Sequence, residues 1–167
     1  MKKGNLSPGV NMQKSSDTNF NLNFSSPKNS DIEIIINMMK KFYAIDNYPF
    51  DENIARGCLE EFINNKNFGR IWLLSLNEKV IGYIIITFSY SFEFKGRDAF
   101  GDEFFIEKEY RGKGFGSETI NFAQEELKKE NIRAIHLEVE KHNPAKKWYK
   151  KLGFKAHGRI LMTKYIS

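Results

Sequence analysis

The stretch Arg111-Gly112-Lys113-Gly114-Phe115-Gly116 constrains this chain more than any other feature. It follows an apolar run, Phe104-Phe105-Ile106, and opens a helical pattern beginning near Ser117. Alternating glycines let the backbone turn tightly from strand into helix and bring several amide N–H groups to one point. At a helix start those donors lack intrahelical partners, and the dipole there favours an anion. Arg111 and Lys113 add positive charge beside it, so the turn suits a phosphate or diphosphate. It is not a dinucleotide fingerprint, because the third glycine of that pattern would fall at Ser117. It is not a P-loop either, since no Gly-Lys-Ser/Thr follows at the required spacing. A tight strand-to-helix turn without a ligand explains the glycines equally well until a second element supports the anion.

That element lies downstream. Asn143-Pro144-Ala145 starts a short helical segment, and Trp148-Tyr149-Lys150-Lys151-Leu152-Gly153-Phe154 ends it. Asn143 suits an N-cap, Pro144 the first helical turn and Gly153 a left-handed C′ position. Together the two motifs closely resemble the GNAT superfamily of acetyl-CoA-dependent N-acetyltransferases. That family carries Arg/Gln-x-x-Gly-x-Gly/Ala after its fourth strand, matched by Arg111, Gly114 and Gly116. It then carries an Asn motif leading to Tyr-x-x-x-Gly-Phe, matched by Asn143, Tyr149, Gly153 and Phe154. The resemblance spans about Asp31 to Ile166 and is strongest from Asp98 to Phe154. Within the superfamily, Asp102-Glu103-Phe104-Phe105-Ile106 followed by Tyr110-Arg111-Gly112 looks most like the diamine and small-amine branch.

Bulk properties agree with a single well-packed domain. The chain has 167 residues, 41% of them hydrophobic, with fifteen Phe, enough for a real core. One cysteine, Cys58, excludes an internal disulfide and fits a reducing cytoplasm. Residues 4–20 lack the apolar stretch of a secretory signal, and no run approaches the length of a membrane span. The net charge of +5 is modest. Lys and Arg are interleaved with Asp and Glu rather than gathered on a nucleic-acid face. Their clusters, Arg111/Lys113 and Lys146/Lys147/Lys150/Lys151, fall on the two motifs, as a small polyanionic ligand would require. A solvated helix face accounts equally for Lys150 and Lys151.

Along the chain, residues 1–16 read as a disordered tail and 17–167 as one domain. Phe20 to Phe24 alternates as a first strand, and Ser30-x-x-Glu33 reads as a capping box. Ile32, Ile35, Ile36, Met39 and Tyr43 repeat at helical spacing until Asn47-Tyr48-Pro49. A second helix from Asp51 carries Ile54, Cys58, Phe62 and Ile63 on its apolar stripe, which makes Cys58 a core residue rather than a nucleophile. Arg70 to Leu76 and Val80 to Phe92 form a hairpin turning at Asn77-Glu78. Ala99 to Ile106 leads into the glycine loop and Thr119 to Glu130 is a helix. Arg133 to Val139 is a strand, Pro144 to Leu152 a helix, and Phe154 to Tyr165 a closing strand. The order β-α-α-β-β-β-α-β-α-β predicts an α+β fold with a mixed, mostly antiparallel sheet flanked by helices.

The resemblance implies acetyl-CoA as cosubstrate and no metal. It assigns cofactor contacts to Phe104, Phe105, Ile106, Arg111, Gly112, Lys113, Gly114, Phe115, Gly116, Ser117, Asn143, Lys146 and Tyr149. Phe105 and Ile106 are expected to offer main-chain groups to the pantetheine arm. Amine acetylation needs a base, because a lysine-like amine is protonated near neutrality, and an acid for the thiolate leaving group. Family position makes Tyr149 that acid; packing beside Trp148 is the bland alternative. Asp102 and Glu103 stand adjacent in a strand otherwise rich in Phe. Alternation puts Asp98, Phe100, Asp102, Phe104 and Ile106 on one face, so one carboxylate of the pair faces core or cleft unless a bulge intervenes. Burial there would raise its pKa and suit it to base chemistry. Relatives place an acidic residue hereabouts, and a structural salt bridge is the alternative for either one. His136, His142 and His157 show no metal-ligand spacing. Tyr43, Tyr48, Phe50, Tyr90 and Phe92 flank loops that shape the acceptor pocket in relatives, although core packing is the commoner role for each.

The expected activity is acetyl transfer from acetyl-CoA to a primary amine of a small molecule, peptide or protein by direct attack. Neither nucleic acid nor membrane is an expected partner, and a homodimer is left open. The competing reading is a non-catalytic acyl-CoA-sensing or nucleic-acid-binding module on the same scaffold, for which Tyr149 and the Asp102/Glu103 pair would have no use.

Overall fold

A computed structural model describes residues 21–140 and 142–166; the proposed tail at residues 1–16 lies outside them. The longest apolar alternations build the centre of the sheet. β2 (Gly69–Leu76) and β3 (Lys79–Ser91) pair antiparallel, and Asn77 and Glu78 both take left-handed φ (49° and 67°), as a tight hairpin turn demands. β1 (Leu22–Ser25) adds to β2, and β4 (Gly96–Ile106) pairs antiparallel with β3. β5 (Ile135–Leu137) joins β4 in parallel, completing a five-stranded sheet in the order β1-β2-β3-β4-β5.

Each face has its own core. α1 (Ile32–Ile45) and α2 (Glu52–Asn64) cover Ile71, Leu73, Tyr83, Ile85 and Phe105. On the opposite face α3 (Phe115–Lys129) packs Ile120, Ala123 and Leu127 onto Trp72, Leu74, Ile84 and Ile86. α4 (Ala145–Lys151) joins that second core through the half-buried Trp148, Tyr149 and Leu152. Both cores follow from strand alternation, which sends successive side chains to opposite faces.

Several expectations shift. The capping box of Ser30 and Glu33 does not form. Asp31 instead accepts the amide of Lys28 at 2.7 Å, and Glu33 is drawn to Arg56 of α2. The apolar stripe of α2 is turned by one residue, so Leu59 is buried with Ala55, Phe62 and Ile63 packed beside it. Cys58 and Ile54 are exposed, which corrects the placement of Cys58 in the core. The closing strand is also absent. Residues 155–166 carry no regular structure, and Ile160, Leu161, Met162, Tyr165 and Ile166 stay exposed. Apolar character alone does not make a strand; a partner edge must supply the ladder, and β5 is three residues long.

A bulge in β4 matters most for function. Ile85 pairs with Glu103 while the next residue, Ile86, pairs with Gly101, which leaves Asp102 as the extra residue. β5 pairs only with Ala99 to Gly101. Among the described residues no strand lies beside the outer edge of β4 from Asp102 onward, and the sheet opens there.

Candidate active site

The glycine loop occupies the end of β4 and the start of α3. Gly114 is the N-cap of α3 with φ +93°, and Gly112 has φ +74°, both in the left-handed region that side chains disfavour. A Cβ built on either would meet nothing within 4 Å. The space above these amides is therefore open at the positive end of a helix dipole, which fits an anionic group approaching the backbone. Gly116 is different: its Cβ would come within 3.1 Å of Trp148. That glycine serves the seating of α4 against α3. Arg111 turns back from the loop, its Nε donating to the Ile106 carbonyl at 2.6 Å and its guanidinium lying 5.3 Å from the Phe105 ring centroid. Lys113 and Lys79 both lie over the ring of Tyr110, leaving positive charge on the flank of the turn.

The main chain of β4 alternates in direction. Glu107 donates its amide to Ile81, and the Phe105 carbonyl lies against Gly82, so these residues and Glu103 bond toward β3. Phe104 and Ile106 consequently turn their main chain toward the open edge. Of the two expected pantetheine contacts, Phe105 bonds toward β3, and Ile106 faces the open edge with its carbonyl already accepting from Arg111. Phe104, expected only as a cofactor contact, also faces that edge.

α4 begins one residue later than the sequence suggests, with Pro144 as its N-cap. Asn143 still caps its first turn, Oδ1 accepting the amide of Ala145 at 2.9 Å. The C-terminus is a Schellman motif: Gly153, at φ +92°, donates to Lys150, and Phe154 donates to Tyr149. His142, Asn143, Pro144, Lys146, Lys147 and Lys150 line an open basic hollow of about 440 Å³. Tyr149 lies against Trp148 and Phe154 with ring centroids 4.5 and 5.5 Å away. It also lines a small apolar cavity of about 30 Å³ with Gly101, Phe104, Ile135 and Leu137, where β4 and β5 part. Desolvation pushes its phenol above the ordinary value, so the hydroxyl keeps its proton at neutral pH.

The bulge separates the two carboxylates. It returns Glu103 to the face that carries Asp98 and Phe100, under α1, and leaves the Asp102 side chain exposed. Glu103 is 7% exposed. Its Oε2 accepts the Tyr83 hydroxyl at 2.7 Å and its Oε1 the Tyr43 hydroxyl at 3.0 Å. Burial raises the carboxyl pKa, the two phenols act against that rise, and the Asp102 charge adds to it. Asp102 is raised as well, by partial desolvation. Tyr83 was no candidate from sequence. Its meeting with Glu103 depends on the hairpin register together with the bulge, neither of which has a local signature. Farther along the same face Asp98 is buried, accepts the Ser89 hydroxyl and lies 3.3 Å from His136 Nε2. The α1–α2 segment reaches over this end of the sheet: Phe50 stands edge-on to Tyr43, and the Tyr48 hydroxyl lies 3.5 Å from Glu140.

Among the described residues no cluster of three or more His, Cys, Asp or Glu could hold a metal ion, and no helix is long and apolar enough to cross a membrane.

A family model described as "Acetyltransferase (GNAT) family" matches residues 36–154. Solved structures with the same fold include a possible acetyltransferase from Clostridium difficile 630, with 20% identity over 87% of this chain and 99% of that one, at a TM-score of 0.77. A predicted acetyltransferase from Clostridium acetobutylicum, solved with acetyl-CoA, has 20% identity over 86% and 96% of the two chains, at 0.72. An aminoglycoside antibiotic 6'-N-acetyltransferase from Acinetobacter baumannii has 14% identity over 88% and 99%, at 0.73. No curated protein sequence matches the chain.

Proposed function

Because the chain belongs to the acetyltransferase (GNAT) family and is an N-acetyltransferase with acetyl-CoA as cosubstrate, we propose that it acetylates a primary amine of a small cationic molecule by direct attack. One observation carries this reading: a phenol and a buried carboxyl lie on opposite faces of the sheet where β4 and β5 part. Tyr149 lines the opening on the α3 and α4 face, and Glu103 lies under α1 on the other.

The residues fit the cosubstrate. Gly112 and Gly114 leave room for a diphosphate at the start of α3, with Lys113 beside them. Phe104 turns its main chain to the open edge, where an amide-bearing arm could take the place of a strand. Lys146 and Asn143 border the basic hollow on α4. When bound, acetyl-CoA supplies an activated thioester carbonyl and a thiolate leaving group.

Glu103 accepts the proton that the acceptor ammonium must lose before its nitrogen can attack. Its raised pKa matches it to that task better than an ordinary carboxylate. Tyr149, held in its protonated form by desolvation, donates its hydroxyl proton to the departing sulfur. Asp102, exposed beside the opening, draws a cation toward Glu103 without itself taking the proton.

The acceptor class follows from charge. Asp102, Glu103 and Glu140 lie on or beyond the opening, and Asp46 and Asp51 bracket the α1–α2 segment above it. Diamines, polyamines and aminoglycosides all present several ammonium groups on a compact frame, and a diamine-like acceptor is the leading candidate. A thiol-release assay with acetyl-CoA over a panel of such amines, neutral amines and lysine peptides tests this. Turnover confined to peptides or to neutral amines would overturn it.

A further inference from the structure

We propose that Tyr43 and Tyr83 are positioning residues that clamp the Glu103 carboxylate and fix the pH at which it accepts a proton. This rests on Glu103 being the base of the reaction above. The geometry is specific: each carboxylate oxygen receives one phenol, Oε2 from Tyr83 at 2.7 Å and Oε1 from Tyr43 at 3.0 Å. Two donors from different elements, β3 and the end of α1, leave the carboxyl plane little freedom to rotate.

The charged surroundings make those donors necessary. Around Glu103 stand Tyr83 from β3, Tyr43 from α1 and Asp102 of its own strand, with Cys58 of α2 acting on Tyr43. Asp98 and His136 lie farther along the same face, 3.3 Å from each other, and Asp98 accepts the Ser89 hydroxyl. Among the described residues no Lys, Arg or His forms an ion pair with Glu103. For a carboxylate 7% exposed with no cationic partner, burial raises the pKa and works against the anionic form that accepts a proton. The two phenols stabilise the anion instead, since hydrogen bonds to a charged form favour it. The same contacts hold both phenols in the neutral, donating form: burial and the Glu103 charge push Tyr43 up to about 12 and Tyr83 higher still.

The two clamps differ in exposure. Tyr83 is fully buried, whereas Tyr43 is half-buried and packs edge-on against Phe50 of the α1–α2 segment, 5.2 Å away. An acceptor therefore reaches Glu103 past Tyr43, beside Oε1, while Tyr83 anchors Oε2 from below.

The test reads Glu103 directly. The protein is labelled with ¹³C at Glu carboxyls, the Glu103 resonance is identified by its loss in Glu103→Gln, and its titration midpoint is followed in wild type, Tyr43→Phe and Tyr83→Phe. Each phenol removed should raise the midpoint by about one pH unit, the scale of a lost charge-assisted hydrogen bond. The acid limb of kcat/KM should move upward by the same amount, with the alkaline plateau largely retained. Tyr43→Phe, at the edge of the core, keeps the test open if Tyr83→Phe does not fold. A midpoint that stays put in a folded Tyr→Phe variant overturns the clamp. A midpoint that moves while the kinetic limb does not supports the clamp and removes Glu103 from the role of base, so the two readings fail separately.

Discussion

Trp148 donates its indole N–H to Ser117 Oγ at 3.0 Å, which fastens the helix carrying Tyr149 to the first turn of the helix that opens the glycine loop. Two motifs distant in sequence become one rigid unit. Trp148→Phe deletes that bond and shrinks the contact with Gly116 and Phe104. The hydrogen bond alone is worth roughly 0.5–1.5 kcal/mol. Thermal melts should show a loss of at least that size, and steady-state kinetics a higher KM for acetyl-CoA. A variant that is destabilised yet keeps its KM would show that the tether does not shape the cofactor site.

Gly114→Val separates ligand space from core space. Nothing lies within 4 Å of a Cβ there, so no packing is lost. The left-handed φ adds strain of about 1–3 kcal/mol. Acetyl-CoA affinity measured by calorimetry should fall at least tenfold in a protein that remains folded. Gly116→Ala, by contrast, should act through Trp148 and show chiefly in stability.

Tyr149→Phe removes one hydroxyl and keeps the ring packed on Trp148 and Phe154. The expected loss is in kcat, on the order of 10²–10⁴, as for a missing general acid. Affinity for acetyl-CoA and thermal stability should change little. Normal kcat in this variant would make Tyr149 a packing residue.

The pH–rate profile distinguishes the two carboxylates. A base works only when deprotonated, and burial raises Glu103 above its ordinary 4.5, so the rate should climb with pH through that raised value and then level off. Glu103→Gln should abolish this limb together with most of the activity. Asp102→Asn should keep the limb and shift it downward, because the Asp102 charge contributes to the rise on Glu103. Flattening by Asp102→Asn alone would reverse the assignment.

Stability carries the same signature with a defined sign. A folded pKa above 4.5 means that the folded state holds the Glu103 proton more tightly than the unfolded chain. That contribution is complete below pH 4.5 and is lost as pH rises through the folded value. Urea unfolding should therefore show Glu103→Gln gaining stability relative to wild type as pH increases across this window. A constant difference at all pH values would mean that folding does not raise the Glu103 pKa.

Local chemistry carried much of the fold. The Asn77-Glu78 turn, the helix start at the glycine loop and the left-handed Gly153 were readable because each is decided by a few neighbouring residues and their backbone preferences. The apolar strands and helices followed from periodicity. Where a choice depended on a distant partner, the sequence was silent. The α2 stripe turned by one residue because Leu59, not Cys58, meets the sheet. The segment after Phe154 found no long edge to pair with. The adjacent carboxylates showed that one must differ from the other, and only the bulge opposite Ile85 and Ile86 decided which. Tyr83 reached Glu103 through strand register, and Tyr43 through the crossing of α1 over the sheet. Spacing along the chain thus determined which groups the protein carries and which backbone turns it makes. Tertiary packing decided which carboxylate loses its water and which phenols replace it, because desolvation depends on everything that closes around a group.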